Sequence, residues 1–201
     1  MTAENSPAIN PNLISRIKGI ILQPKLEWPV IAAESASVKG LFTGYAMILA
    51  AIGPVCSLIG SALFGFPMGV LAAIITTVVG YVLALVAVYI VGIIIDALAP
   101  SFGSEKNMVQ SMKLAVYSMT PAWVAGVLNL VPLIAGLAFI AALYGVYVMY
   151  LGFGPVKNTP EDKKLPYTVV TILIAIVLQV IAAMIVGLAM APFIIAAAVA
   201  G

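Results

Sequence analysis

The stretch YTVVTILIAIVLQVIAAMIVGLAMA, residues 167–191, contains no charged side chain. A hydrocarbon core about 30 Å thick is crossed by about 20 helical residues, at a rise of about 1.5 Å per residue. Residues 167–191 are therefore long and apolar enough to form a transmembrane helix. Four other stretches are also long and apolar enough to cross, at about 40–64, 68–98, 112–130 and 132–153. The sequence thus predicts five membrane crossings.

The composition also predicts an all-α membrane protein with five transmembrane helices. Of the 201 residues, 64% are hydrophobic and 8% are charged, whereas roughly a quarter of a soluble domain is charged. The abundance of apolar surface excludes a disordered chain. The third and fourth segments meet at Val131-Pro132 with almost no loop, which favours a tight helical hairpin over one very long helix. We expect Pro192 to break or kink the last helix.

The first 39 residues are predicted to form a tail followed by an interfacial helical segment. Residues 1–11 are polar, whereas within 12–39 apolar residues recur at helical spacing, with Arg16 and Lys18 between them. A helix too short to cross a bilayer but amphipathic suits the interface, with its basic side chains toward lipid headgroups. Trp28 fits the aromatic belt at the membrane surface. The alternative is that this segment only packs on the transmembrane bundle.

The placement of charge predicts the orientation. All nine basic residues precede the first crossing, lie between the second and third or at the very start of the third (Lys113), or lie between the fourth and fifth. The two opposite turns and the C-terminal tail carry no charge. The positive-inside rule therefore places the N-terminus in the cytoplasm and the C-terminus outside.

The residue inventory argues against an enzyme. The chain has no histidine and one cysteine, Cys56, which excludes a histidine base and a cysteine metal site. Asp96 is the only acidic residue in a predicted crossing, and no Gly-rich phosphate loop or acid cluster is present. The scattered basic residues leave no footprint for nucleic acid. We predict a non-enzyme of the lipid bilayer, without cofactor or metal.

Three polar residues of the apolar segments are candidate functional residues, because polar groups are costly in hydrocarbon. We expect Asp96, near the cytoplasmic end of the second crossing, to be hydrated or paired with Lys113 or Lys106. Asn129 lies near the opposite surface. Gln179 lies about midway along the fifth crossing, where its amide is expected to bond to a neighbouring helix. In the alternative, all three line a polar cavity between bent helices of a small transporter or channel.

Small residues at four-residue spacing predict close helix packing. Such contacts form within one chain or between copies, so the partner expected is a second copy or another membrane protein. The candidate packing residues are Gly53, Ser57, Ser61, Gly80, Gly92 and Gly187.

The cytoplasmic loops and the N-terminal segment form the remaining candidate surface. This surface carries charges of both signs. It either docks a partner or lipid, or only solvates the protein and sets its topology. The candidate interfacial or partner-binding residues are Arg16, Lys18, Trp28, Phe102 and Lys106.

Four short motifs follow one another along nearly the whole chain. They are Pro24 with Glu27-Trp28, the stretch 96–104 (DALAPSFGS), the stretch 117–121 and the stretch 144–152. In order and spacing they resemble the Yip domain family, five-helix membrane proteins named for interaction with Ypt/Rab GTPases in eukaryotes. The chain lacks the longer N-terminal domain and the Asp-Leu-Tyr-Gly-Pro motif of the eukaryotic members. It is therefore similar to the short bacterial branch.

The resemblance implies a Yip-like five-helix domain over residues 40–201, located in the bacterial inner membrane. By analogy it implies a membrane-organising or adaptor role. It does not imply GTPase binding, because bacteria lack Rab-driven vesicle traffic of that kind. We therefore expect a non-enzymatic integral membrane protein that acts through its cytoplasmic face and through helix–helix association.

Overall fold

The chain is helical in nearly all of the residues that the computed structural model describes, 13–65 and 69–200. These ranges contain no β-strand, so the all-α prediction is confirmed. The predicted tail, residues 1–11, lies outside them. The helices are α1 (Leu13–Leu22), α2 (Pro24–Ala33), α3 (Val38–Phe64), α4 (Val70–Leu98), α5 (Met108–Ser118), α6 (Thr120–Ala125), α7 (Ala138–Lys157) and α8 (Glu161–Ala200). Short 3₁₀ helices occupy Ala99–Phe102, Gly126–Leu130 and Pro132–Leu137.

Four helical stretches of the described chain are long and apolar enough to cross a membrane. They are Val38–Phe64, Val70–Phe102, Pro132–Lys157 and Glu161–Phe193, with mean hydropathies from 2.0 to 3.0. They coincide with the first, second, fourth and fifth crossings that the sequence predicts. The predicted third crossing, 112–130, is not among them.

The predicted third crossing is a broken run of short helices. After α5 come the six-residue α6 and a 3₁₀ helix. Pro121 accounts for the first break, because it has no N–H and its ring crowds the carbonyl four residues earlier, that of Tyr117. The Thr120 hydroxyl donates to this carbonyl at 2.7 Å and replaces the missing hydrogen bond.

This broken run follows α3 along the length of the bundle. α5 contacts the first turn of α3, which contains Lys39. At the other end, a Cβ placed on Gly60 would lie 2.6 Å from the carbonyl oxygen of Asn129. Gly60 lies about 30 Å along α3 from Lys39 at 1.5 Å per residue. The two backbones touch between these points, since a Cβ on Gly126 would lie 2.7 Å from the Cα of Gly53.

The chain is extended at Val131, between two 3₁₀ helices, at the position of the expected hairpin turn. By contrast, α8 continues through Pro192 to Ala200, so a break at Pro192 is not found. A proline removes one backbone donor, and transmembrane helices tolerate the loss where local adjustments or neighbouring groups satisfy the freed carbonyl.

Packing differs between the two ends of the bundle. We call the end that holds Asp96, Lys113 and Lys157 the charged end, and the end that holds Phe64 and Leu133 the open end. Leu133 is 93% exposed, and most apolar side chains near it also face outward. In a membrane such side chains contact lipid, which solvates them as well as a protein interior does. The largest fully buried apolar side chains lie toward the charged end: Trp28, Tyr167, Phe153, Ile20, Ile31, Leu49 and Ile95.

Candidate functional site at the charged end

Trp28 anchors the N-terminal helices to the transmembrane bundle. Its side chain is fully buried, and its indole N–H donates to the carbonyl oxygen of Val148 in α7 at 2.9 Å. Gly152 makes room for the indole, because a Cβ there would lie 2.7 Å from the ring. Tyr144 adds a hydrogen bond of 2.8 Å from its hydroxyl to the carbonyl of Ile21. The expected place of Trp28 in a surface aromatic belt is therefore wrong.

Arg16 is also buried inside the protein, although we expected its side chain to point toward lipid headgroups. Its guanidinium forms ion pairs with Glu27 of α2 and with Glu34, the residue that follows α2, and it lies 5.7 Å from the centre of the Tyr117 ring. Two carboxylates and an aromatic face suit a planar guanidinium, which is weakly hydrated and always charged. Arg16 therefore fastens α1 to α2 and α5, while Lys18 on the same helix is exposed.

The outer face of α1 and α2 combines lysines with apolar side chains. Both helices bury one side against the bundle, including Ile20 and Ile31. The opposite side carries both lysines and large apolar side chains. This combination is typical of a helix at a lipid headgroup boundary. Its exposed members are Ile14, Lys18, Leu22, Lys25, Leu26 and Val30.

Asp96 is paired, but with Lys157 rather than with Lys113 or Lys106. The Lys157 ammonium lies 3.5 Å from the Asp96 carboxylate and donates to the carbonyl of Glu105 at 2.7 Å. The Asp96 carboxylate also accepts the backbone N–H of Asn107 at 2.7 Å and the hydroxyl of Ser111 at 3.1 Å. The pair closes the end of α4 against the end of α7. Lys106 itself is exposed.

Lys113 satisfies the end of α2 instead of pairing with Asp96. Its buried ammonium donates to the carbonyl oxygens of Ile31 at 2.8 Å and Glu34 at 2.6 Å. The last carbonyls of a helix lack partners within the helix, and a cation beside them also favours the helix dipole. Lys113 thus fixes the C-terminal end of α2 in place.

Phe102 is part of the packing of this end rather than an exposed surface residue. Its ring stacks on Tyr167 of α8 with centroids 4.4 Å apart and planes 11° from parallel. Tyr167 is fully buried and donates its hydroxyl to the carbonyl of Ile95. A hydrogen bond of 2.8 Å between the hydroxyls of Ser104 and Thr159 joins the loop before α5 to the loop between α7 and α8.

A cleft of about 480 Å³ lies between α2, the loop before α5 and the end of α7. We call it the charged-end cleft. Gln110 borders it: the amide N–H₂ donates to the Ala32 carbonyl at 3.0 Å, and the buried amide oxygen accepts no hydrogen bond from any described residue. The lining residues are Pro29, Ala32, Ala33, Glu105, Asn107, Gln110, Pro155, Val156, Lys157 and Asn158.

The three polar candidates of the crossings lie apart, and no two of them line either of the two cavities described here. Asp96 belongs to the charged end, whereas Asn129 donates a long hydrogen bond of 3.4 Å to the carbonyl of Gly53 near the open end. Gln179 is exposed on α8. None of the three lines the charged-end cleft or the smaller apolar cavity of about 90 Å³ between α4, α5, α7 and α8.

The small residues differ in what they pack against. Gly53 faces the backbone of Gly126, and a Cβ on Gly92 would lie 2.8 Å from the Met112 methyl carbon. By contrast, a Cβ on Gly80 or Gly187 would meet no atom within 4 Å in the described chain. Ser57 is exposed and Ser61 is half-buried.

Lys157 and Gln110 are the residues of this site that sequence reasoning missed. A signal for Lys157 was present, because the ammonium follows an apolar segment directly and Asp96 is the only acidic residue within a predicted crossing. Two opposite charges at the ends of apolar helices cost less when they are paired than when one of them is buried alone. The position of Gln110 gave no comparable signal, because a glutamine near a helix start is equally at home in water.

Residues 18–184 match the Yip1 domain family. Two curated relatives carry the name inner membrane protein YohC, one from Escherichia coli strain K12 and one from Escherichia coli O6:H1 strain CFT073. Each is 26% identical over 183 residues, which cover 85% of this chain and 94% of the relative. No solved structure matches the chain significantly.

Proposed function

The chain belongs to the Yip1 domain family and is a multi-pass bacterial inner membrane protein, and from that premise we propose that it is a non-enzymatic membrane-organising or adaptor protein. It acts through the charged end of the bundle, where the charged-end cleft receives a segment of a protein partner. The observation that carries this proposal is the cleft itself, an open site at the end of the protein where large side chains such as Trp28 and Tyr167 are fully buried.

The size and walls of the cleft suit a peptide segment. Its volume of about 480 Å³ lies within the usual range of about 300–1,000 Å³ for ligand sites. Lys113 fixes the α2 wall, and the pair of Asp96 and Lys157 fixes the walls formed by the α5 loop and α7. Walls held in this way lower the cost of ordering the site when a ligand binds.

The chemistry of the lining favours a partner that donates hydrogen bonds. The exposed carboxylate of Glu105 is an acceptor, whereas the Lys157 ammonium is engaged with groups of the protein. Alanine, proline and valine side chains supply the apolar part of the lining. A segment that carries lysine or arginine beside small apolar residues therefore fits this site.

The arrangement of the polar candidates favours this role over transport. A transporter or channel needs polar groups that face a common pathway through the membrane. Asp96, Asn129 and Gln179 lie in three separate places, and Asp96 and Asn129 are engaged with other groups. The name of the Escherichia coli relatives also denotes no enzymatic activity.

We further propose that the broken run 108–130 also crosses the membrane, as the third of five crossings along the chain, with the charged end in the cytoplasm and the C-terminus on the opposite side. The course of this run along α3, from the level of Lys39 to that of Gly60, supports the proposal. The distribution of basic residues supports the orientation. The outer face of α1 and α2 then lies at the headgroups of the cytoplasmic leaflet.

Reporter fusions distinguish five crossings from four. With five crossings we expect a phosphatase reporter inserted at Val131, or fused after Ala200, to be active in the periplasm. A reporter at Asn158 should instead be cytoplasmic. Four crossings, without the run 108–130, would place Val131 and the C-terminus in the cytoplasm and Asn158 outside, which would contradict the proposal.

A cleft-filling substitution tests the adaptor role. We expect A33W to abolish binding of a stoichiometric protein partner, because Ala33 is exposed and lines the cleft. A36W is the matched control, since Ala36 is exposed but does not line it. The measurement is extraction in lipid-preserving discs, followed by mass spectrometry of the proteins that remain bound. A point substitution is necessary because deletion of α1 and α2 would remove Trp28 from the core.

A variant that changes the charge of the cleft is tested in the same binding experiment. E105K reverses the exposed carboxylate and should weaken a partner that carries lysine or arginine. A partner retained equally by A33W, A36W and E105K would show that the cleft is not the docking site. Solute flux in reconstituted vesicles, lost in D96N without any protein partner, would support the transporter instead.

A further inference from the structure

Gln179 is a polar side chain in the most apolar helix of the protein. The stretch Glu161–Phe193 has a mean hydropathy of 3.0. Gln179 lies about 18 Å along α8 from the buried Tyr167, at 1.5 Å per residue. In a hydrocarbon core about 30 Å thick, this depth keeps the amide away from both membrane surfaces.

The amide of Gln179 has no partner within the described chain. The residue is exposed, and no described group forms a hydrogen bond with it. Lipid tails provide neither donors nor acceptors, so in a single chain both the amide N–H₂ and the amide oxygen are unsatisfied. The position therefore favours a neighbour that supplies both kinds of group.

The surface beside Gln179 leaves room for another helix. Ala183 and Gly187 follow at four-residue spacing and are both exposed. A Cβ on Gly187 would meet no atom within 4 Å, in contrast to Gly53 and Gly126, which face each other inside the chain. Within the described chain, no neighbouring group thus occupies the space that Gly187 leaves by having no side chain.

We propose that α8 binds α8 of a second copy of this chain, through a face centred on Gln179, Ala183 and Gly187. An amide is both donor and acceptor, so two Gln179 side chains related by a two-fold axis satisfy one another. The small residues let the two backbones approach closely, which strengthens packing in a membrane. This interface is independent of the charged-end cleft and of the proposed adaptor role.

Cysteine cross-linking in liposomes locates the interface. In a C56S background we expect A183C to form covalent dimers and M184C to form few. Ala183 and Met184 are both exposed and lie at nearly the same depth, but on α8 they point about 100° apart. Equal cross-linking at the two positions would contradict the proposed face. A different protein cross-linked through A183C in native membranes would overturn the assignment of the partner.

Dimer dissociation in liposomes measures the contribution of the amide. We expect Q179L to raise the dissociation constant by about 3- to 20-fold, the range that corresponds to interhelical hydrogen bonds in membranes. Q179N keeps an amide and should recover part of the affinity. G187L should weaken the dimer, whereas G80L should not, although both glycines have open space around their Cβ positions. A monomer at every lipid dilution, or a dimer insensitive to both Q179L and G187L, would overturn the proposal.

Discussion

Replacement of Trp28 by alanine is expected to lower the free energy of unfolding by about 3–5 kcal/mol, the usual cost of truncating a buried aromatic side chain. Trp28 is fully buried where α2 packs on α7, beside Gly152. Its removal would leave a cavity at the main contact between the N-terminal helices and the bundle. Steric trapping in bicelles measures this free energy directly.

Two variants separate the packing of Trp28 from its hydrogen bond. W28F keeps most of the ring but loses the bond to the Val148 carbonyl, so we expect a smaller loss, about 1–3 kcal/mol. L22A is the matched control on the exposed face, since Leu22 is 73% exposed, and should change stability little. If W28A were no more destabilising than L22A, the N-terminal helices would not be packed as described.

Replacement of Arg16 by methionine is expected to cost about 3 kcal/mol, near the lower end of the range for breaking a buried ion pair. The guanidinium is buried, and its loss would leave the carboxylates of Glu27 and Glu34 without their ion-pair partner. We place the effect near the lower end because the Glu34 side chain is 36% exposed and water screens its charge. Steric trapping in bicelles measures this change in the free energy of unfolding as well.

The comparison with Lys18 tests this explanation. K18M removes an exposed cation from the same helix and should change stability by less than about 0.5 kcal/mol. The triple variant R16M/E27Q/E34Q removes both unpaired carboxylates and should recover part of the loss caused by R16M. Equal effects of R16M and K18M would show that the buried ion pairs do not stabilise the protein.

The predicted crossings agreed with the structure where the signal was local. Helical stretches at Val38–Phe64, Val70–Phe102, Pro132–Lys157 and Glu161–Phe193 follow from runs of apolar residues that only a membrane can accommodate. The run 112–130 has the same composition, but Pro121 interrupts its hydrogen bonding. Composition predicts the presence of an apolar segment better than it predicts the continuity of the helix.

The partners of the polar residues could not be predicted from their positions in the sequence. Asp96 has basic residues within 20 positions on one side, at Lys106 and Lys113. Its partner is Lys157, 61 positions away, because α4 and α7 end at the same place in the fold. An expectation based on sequence alone selects partners that are close along the chain. In the folded bundle, by contrast, any two helices that end on the same side of the membrane can bring their charges together.

By itself the sequence determined that this chain is an all-helical membrane protein of the Yip1 family, with its charges at the ends of apolar segments. Only the tertiary structure decided which faces meet protein and which face outward. Arg16 and Trp28 were expected at the lipid surface and are buried, whereas Gln179 was expected to bond to a neighbouring helix and is exposed. The physical reason is that lipid tails and a protein interior are equally apolar. A hydrophobic pattern that separates inside from outside in water therefore does not separate the two environments in a membrane.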